Sequence, residues 1–117
     1  MAGHRAARVA EEIKRELARL IRDEMKDPRL GFVSITDVEV SKDIRHAKVY
    51  VSVLGDEEVR KATLTALKQA TGYLRSELSN NIRVRFMPEL AFQFDDSIEK
   101  GSRINELLSQ AKRNEQE

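Results

Sequence analysis

The chain has 117 residues, 40% of them apolar and 35% charged, with a net charge of +1 and no cysteine. One soluble, charge-rich domain fits that length. Disulfide frameworks, cysteine nucleophiles and thiolate metal sites are excluded, no apolar run approaches the ~20 residues that span a bilayer, and the N-terminus lacks the apolar core of a secretory signal. The expected location is the cytoplasm.

The first predicted element is a helix from about Arg5 to Lys26, with an apolar stripe of Val9, Ile13, Leu17, Leu20, Ile21 and Met25. Its other face mixes charges, and Pro28 stops it. Gly31 opens an extended segment. Phe32 to Val40 reads as a strand whose apolar phase slips near Thr36-Asp37, which predicts a bulge or bend there. Ser41-Lys42-Asp43 is a polar turn. The strand from His46 to Leu54 alternates cleanly, with Ala47, Val49, Val51 and Val53 on one side, and it completes an antiparallel hairpin.

Gly55-Asp56 leads into a helical run from Glu57 to Asn80, interrupted at Ala70-Thr71-Gly72. The stripe continues across the break through Val59, Ala62, Ala66, Leu67, Ala70, Tyr73, Leu74 and Leu78. A glycine inside a helix costs roughly 1 kcal/mol relative to alanine, so its retention points to a kink or a close approach. Ile82 to Phe86 alternates with period two. Met87-Pro88 breaks that pattern, Leu90 to Phe94 resumes it, and Pro88 argues for an edge position or a bulge. Asp95-Asp96-Ser97 supplies N-cap chemistry for a last helix carrying Ile104, Leu107, Leu108 and Ala111. The expected order is α-β-β-α-kink-α-β-α, a single α+β domain over residues 1–117 with frayed ends at about 1–4 and 113–117.

Charge is unevenly spread. Residues 60–85 hold six cations (Arg60, Lys61, Lys68, Arg75, Arg83, Arg85) against the single anion Glu77, a local balance of +5. The flanking stretches 31–59 and 86–117 each carry −3. Such asymmetry bears on partners rather than on fold.

Candidate chemistry narrows quickly. His4 and His46 are the only histidines, and neither has metal-ligand spacing. Asp95-Asp96 is explained more simply by capping than by a magnesium site. No glycine-rich phosphate loop occurs, and no nucleophile–base pair can be assembled, so neither an enzyme nor a cofactor is expected. A kink at Gly72 starts a new helix whose N–H groups, over Thr71 to Leu74, can face phosphate. Lys68 and Arg75 lie one turn to either side, and Arg83 and Arg85 follow on a polar phase. The competing reading makes Gly72 a packing residue and the cations ordinary solvated side chains; the residues alone weigh the two about evenly. The aromatics fall mostly in core phase, so base stacking is not expected.

The element order with its interrupted helix resembles a KH-type RNA-binding domain, in which a G-x-x-G loop clamps a nucleic-acid backbone. Here Ala70-Thr71-Gly72 stands at that junction. Lys26-Asp27-Pro28-Arg29-Leu30-Gly31, Ala47-Lys48-Val49-Tyr50-Val51, Gly72-Tyr73-Leu74-Arg75-Ser76-Glu77-Leu78, and Pro88 to Ser97 followed by Gly101-Ser102-Arg103-Ile104 extend the likeness. Over about residues 5 to 108 the chain resembles the bacterial ribosome-binding factor A family, which has an Ala-x-Gly kink in place of the loop. It departs from some relatives in its short Gly55-Asp56 junction and in ending soon after the last predicted helix.

The resemblance implies a type II KH-like domain, a three-stranded sheet with helices packed on one face. It implies a non-enzymatic assembly factor without cofactor. Such a factor binds the small ribosomal subunit and its 16S rRNA, assists late maturation near the rRNA 5′ end, and matters most in the cold. It has no membrane or small-molecule substrate, is expected to be a monomer, and could meet other assembly factors. By carry-over the RNA-binding residues are Lys61, Lys68, Ala70, Thr71, Gly72, Arg75, Arg83 and Arg85, with the kink at Ala70, Thr71 and Gly72. The rival readings are a protein-interaction module acting on another ribosome-associated factor, a small hydrolase, and a helix-turn-helix DNA binder.

Overall fold

Alternating valines in the central strand give the sheet one apolar face, and three helices cover it. The structure, a computed structural model, describes residues 2–95. Its elements run α1 (Ala2–Asp23), β1 (Phe32–Val40), β2 (His46–Leu54), α2 (Glu57–Gln69), α3 (Thr71–Asn81) and β3 (Glu89–Phe94). The expected last helix, with Asp96 and Ser97 of its cap, lies outside the described residues.

α1 begins and ends three residues earlier than the sequence pattern suggests. Its stripe is as expected up to Ile21: Val9, Ile13, Leu17, Leu20 and Ile21 are buried, with Ala6 added. The helix closes where the N–H groups of Glu24 and Met25 both reach the Leu20 carbonyl at 2.9 Å. Met25 is thus outside the helix, although it still packs on the core.

The sheet has the order β1-β2-β3. β1 pairs antiparallel with β2, and the register shifts between Ile35 and Asp37. Thr36 is the extra residue, where the sequence phase slips. β3 runs parallel to β2, from His46↔Glu89 to Val51↔Phe94. Ala47, Val49, Val51 and Val53 are buried toward the helices, as are Leu90 and Phe92. Pro88 immediately precedes β3, an edge strand, where its missing N–H breaks no ladder.

Residues 82–88 form no strand, contrary to the period-two pattern. The alternation still shows in burial: Ile82 is buried and Val84 half-buried against the core. The segment has no ladder partner, and its last two carbonyls, of Met87 and Pro88, accept from the side chain of Arg75. A second departure is the α2 stripe. Val59 and Tyr73 are exposed, at 37% and 45%, and Thr63 is fully buried in their place. Its Oγ1 accepts the Gly31 N–H at 2.9 Å and lies 2.7 Å from the Val59 carbonyl and 3.2 Å from that of Arg29, either of which can take its proton. A buried hydroxyl so satisfied carries little penalty, and it fastens the loop before β1 to α2.

Candidate nucleic-acid interface

The break in the long helix sits on Ala70 rather than Gly72. α2 ends at Gln69 and α3 starts at Thr71. Ala70 joins them with φ −87° and ψ 2°, in the sparsely populated bridge region. Its N–H closes α2 onto the Ala66 carbonyl at 3.0 Å, and its own carbonyl accepts the Leu74 N–H at 2.9 Å. Leu74 is therefore already bonded inside α3. The N–H groups that precede this first bond are those of Thr71, Gly72 and Tyr73, one residue fewer than expected. No side chain caps them. The Thr71 hydroxyl points backward instead, lying 2.7 Å from the Lys68 carbonyl and 3.2 Å from that of Leu67.

Gly72 is exposed, and a Cβ built there meets nothing within 4 Å. The packing explanation for this glycine therefore fails. Nor does it have the positive φ that would demand glycine. What remains distinctive is open space in front of an uncapped helix N-terminus.

The cations do not gather into one cluster. Lys61 and Lys68 are exposed on α2, seven residues and so two turns apart. Lys61 pairs with Glu57 at 3.5 Å. Lys68 lies in the last turn of α2, beside the junction. Arg75 is half-buried: Nη2 donates to the Met87 carbonyl at 2.8 Å and Nε to that of Pro88 at 3.2 Å. Two of its three nitrogens thus hold the segment that leads into β3. Arg83 borders a shallow groove with Glu12, Arg15 and Glu16 of α1. Arg85 lies over the Phe86 ring, 5.9 Å from its centroid.

Other residues of the region escape a reading of the sequence. Arg29 donates to both carboxylate oxygens of Asp27, and its Nη1 reaches Gln69 Oε1 at 2.8 Å, beside the junction. The Arg29 side-chain bonds, with its backbone N–H, hold the Asp27 carboxyl down at about 2. Phe86 is 73% exposed, against the expectation that the aromatics fall mostly in core phase. Its position at the end of a period-two run, in phase with Ile82 and Val84, conceals this, since that run forms no strand. Among the described residues, no group of three or more His, Asp or Glu side chains could hold a metal ion, and no helix is long and apolar enough to cross a membrane.

An α1-β1-β2-α2-α3-β3 order with a broken helix, and an uncapped α3 N-terminus at the break, defines a KH-like domain in which a bare Ala-Thr-Gly junction replaces the clamping loop. A family model for ribosome-binding factor A matches residues 5–108. The ribosome-binding factor A of Heliobacterium modesticaldum is 72% identical over 110 residues, covering 94% of this chain and 91% of that one. That of Halothermothrix orenii is 52% identical over 116 residues, covering 99% and 95%.

Solved structures agree. The crystal structure of ribosome-binding factor A from Thermus thermophilus superposes with a TM-score of 0.69 at 32% identity, covering 76% of this chain and 93% of that one. A Thermus thermophilus ribosome-binding factor A homology model, fitted into a cryo-electron-microscopy map of its 30S complex, gives 0.63 at 32% identity, covering 74% and 91%. The chain belongs to the ribosome-binding factor A family. This is a family of binding factors, not of enzymes.

Proposed function

We propose that the protein binds the small ribosomal subunit as an assembly factor, through the surface around the Ala70 junction. The observation that carries this is the exposed, uncapped start of α3, with Gly72 leaving its backbone open to approach. Free N–H groups and the helix dipole favour an anion there. rRNA phosphate is the anion suggested by family membership and by the 30S complex of the Thermus thermophilus relative. Lys61 and Lys68 extend the contact along α2, and Arg83 and Arg85 add to it from the segment after α3. Arg75 serves mainly by fixing the segment that carries Arg85.

The finer role follows the family resemblance: late maturation of 16S rRNA near its 5′ end, of most importance in the cold, by a cytoplasmic monomer that also meets other assembly factors. Strains lacking the protein should accumulate 5′-extended 16S precursor at low temperature, and normal precursor levels there would sink this role.

The binding surface has a direct test. Lys61, Lys68 and Arg85 are replaced together by Glu, leaving Arg75 intact, and co-sedimentation with small subunits is measured. Phosphate contacts make binding fall steeply with salt, so the triple variant should fold and fail to co-sediment. Wild-type-like co-sedimentation by the folded variant places the interface elsewhere. Binding that resists both salt and ribonuclease would favour the protein-interaction reading.

A further inference from the structure

A second feature lies at the opposite end of the 70–89 stretch from the junction. A cavity of about 440 Å³ is lined by Ile44, Arg45, His46, Phe86, Met87 and Glu89, within the size range of small-molecule sites. One exposed phenylalanine alone would need no explanation. Here the ring is held out from an anchored backbone. Arg75 fixes the carbonyls of the two residues that follow it, and Met87 packs against the core. The hairpin turn is tied alongside by the Glu89 N–H, which donates to the Arg45 carbonyl at 2.9 Å.

The turn itself is strained. Ile44, a β-branched residue, has φ 58°, where such side chains are outliers. One guanidinium lies over the ring and a second residue of the same charge, Arg45, lines the same cavity. Arg85 approaches the ring at 5.9 Å. The side chain of Arg45 is exposed, and its charge acts on the Asp43 carboxylate of the same turn. The anion in the cavity, Glu89, lies 3.8 Å from His46.

We propose that Phe86 is a stacking site for one unpaired nucleobase of rRNA, with Arg45 and Arg85 taking the phosphates on either side of it. The inference rests on the RNA-binding reading above. An exposed aromatic face accepts any base, and nearby guanidinium groups supply the charge complementarity that a backbone requires. A stacked base explains why the ring is kept in solvent on a segment whose backbone is fixed, and it gives the domain a contact with a single-stranded nucleotide beside its phosphate contact at the junction.

The probe is a single-stranded RNA pentanucleotide with 2-aminopurine at its centre, added to the full chain. The wild type should quench the fluorophore. Phe86→Leu, which keeps an apolar residue but removes the ring, should lose the quench and about tenfold in affinity. The same pentanucleotide with an abasic centre should bind wild type and Phe86→Leu equally. Arg45→Gln with Arg85→Gln should make the slope of log K against log salt about 1.4 less negative, for two single-strand phosphates.

Retained quench and affinity in Phe86→Leu overturn the proposal. So does a Phe86→Leu variant that loses small subunits but keeps the pentanucleotide, because a protein then contacts the ring. Failure of the wild type to co-sediment with small subunits would defeat the functional reading instead, and the pentanucleotide result separates the two.

Discussion

Arg75 Nη2 holds the Met87 carbonyl oxygen at 2.8 Å, so a cation that charge counting places on the RNA surface is a structural strut. It joins the second turn of α3 to the segment before β3, and its Nε bond to the Pro88 carbonyl makes the attachment two-pronged. Hydrogen bonds from a charged donor contribute about 1.5–3 kcal/mol each when well made, and partial exposure lowers that. Arg75→Ala should lower stability by about 1–3 kcal/mol in urea denaturation. Arg75→Lys should recover only part of it, because one ammonium cannot reproduce the planar fork. An unchanged denaturation midpoint in Arg75→Ala would return this arginine to the phosphate contacts.

The strut also shows what is legible in the sequence. The hairpin, its bulge at Thr36 and the buried valines of β2 follow from period-two alternation, which reports one-sided burial directly. The helix break is legible as well, within two residues, because helix formers flank it. Residues 82–86 mislead because alternation reports which side chains are buried and not whether the backbone finds a ladder partner. Thr63 escapes notice because a polar residue interrupts the apolar stripe, and its three partners come from two separate segments. At the site, the glycine is visible, but whether its missing Cβ faces protein or open space is a tertiary fact.

That open space makes Gly72 an informative position. Its backbone is compatible with any residue and nothing would touch a methyl group. Gly72→Ala should therefore keep the junction at Ala70 and stabilise the protein by about 0.4–1 kcal/mol, mainly by restricting the unfolded chain. The same methyl stands in front of the free N–H groups and should weaken small-subunit binding. Calorimetry and co-sedimentation on the same sample check both signs. A variant that is more stable and binds as tightly as wild type would remove close backbone approach from the mechanism.

Gly31 and Gly55 present the opposite case, since both abut Val59. A Cβ at either would lie 2.8 Å from Val59 Cγ1, and Gly55 also has φ +141°. Each Gly→Ala change should destabilise by about 1–3 kcal/mol, through overpacking at both positions and backbone strain at Gly55. Val59→Ala should separate the causes. It relieves the Cγ1 crowding at both positions and leaves the strain at Gly55, so in the Val59→Ala background Gly31→Ala should cost little while Gly55→Ala stays destabilising. Equal residual costs in that background would mean that strain at Gly55 is negligible.

The Asp27–Arg29 bracket predicts a pH dependence close to the junction. Hydrogen bonds from the Arg29 side chain and then its backbone N–H lower the Asp27 carboxyl from 3.8 to about 2. A carboxyl depressed in the folded state binds protons more readily when unfolded, so its stabilising contribution is present above about pH 4 and is lost as pH falls toward 2. Arg29 also holds Gln69, the last residue of α2. Protonation of Asp27 should therefore free the arginine and loosen the attachment of the 27–31 loop to the end of α2. Amide exchange at Arg29 and Leu30, whose N–H groups bond the Asp27 carboxylate and carbonyl, should accelerate through that window beyond the intrinsic pH trend. Asp27→Asn should show the faster exchange already at neutral pH, with the acid-dependent step gone. Identical profiles in the wild type and Asp27→Asn would mean that the bracket contributes nothing to ordering the loop.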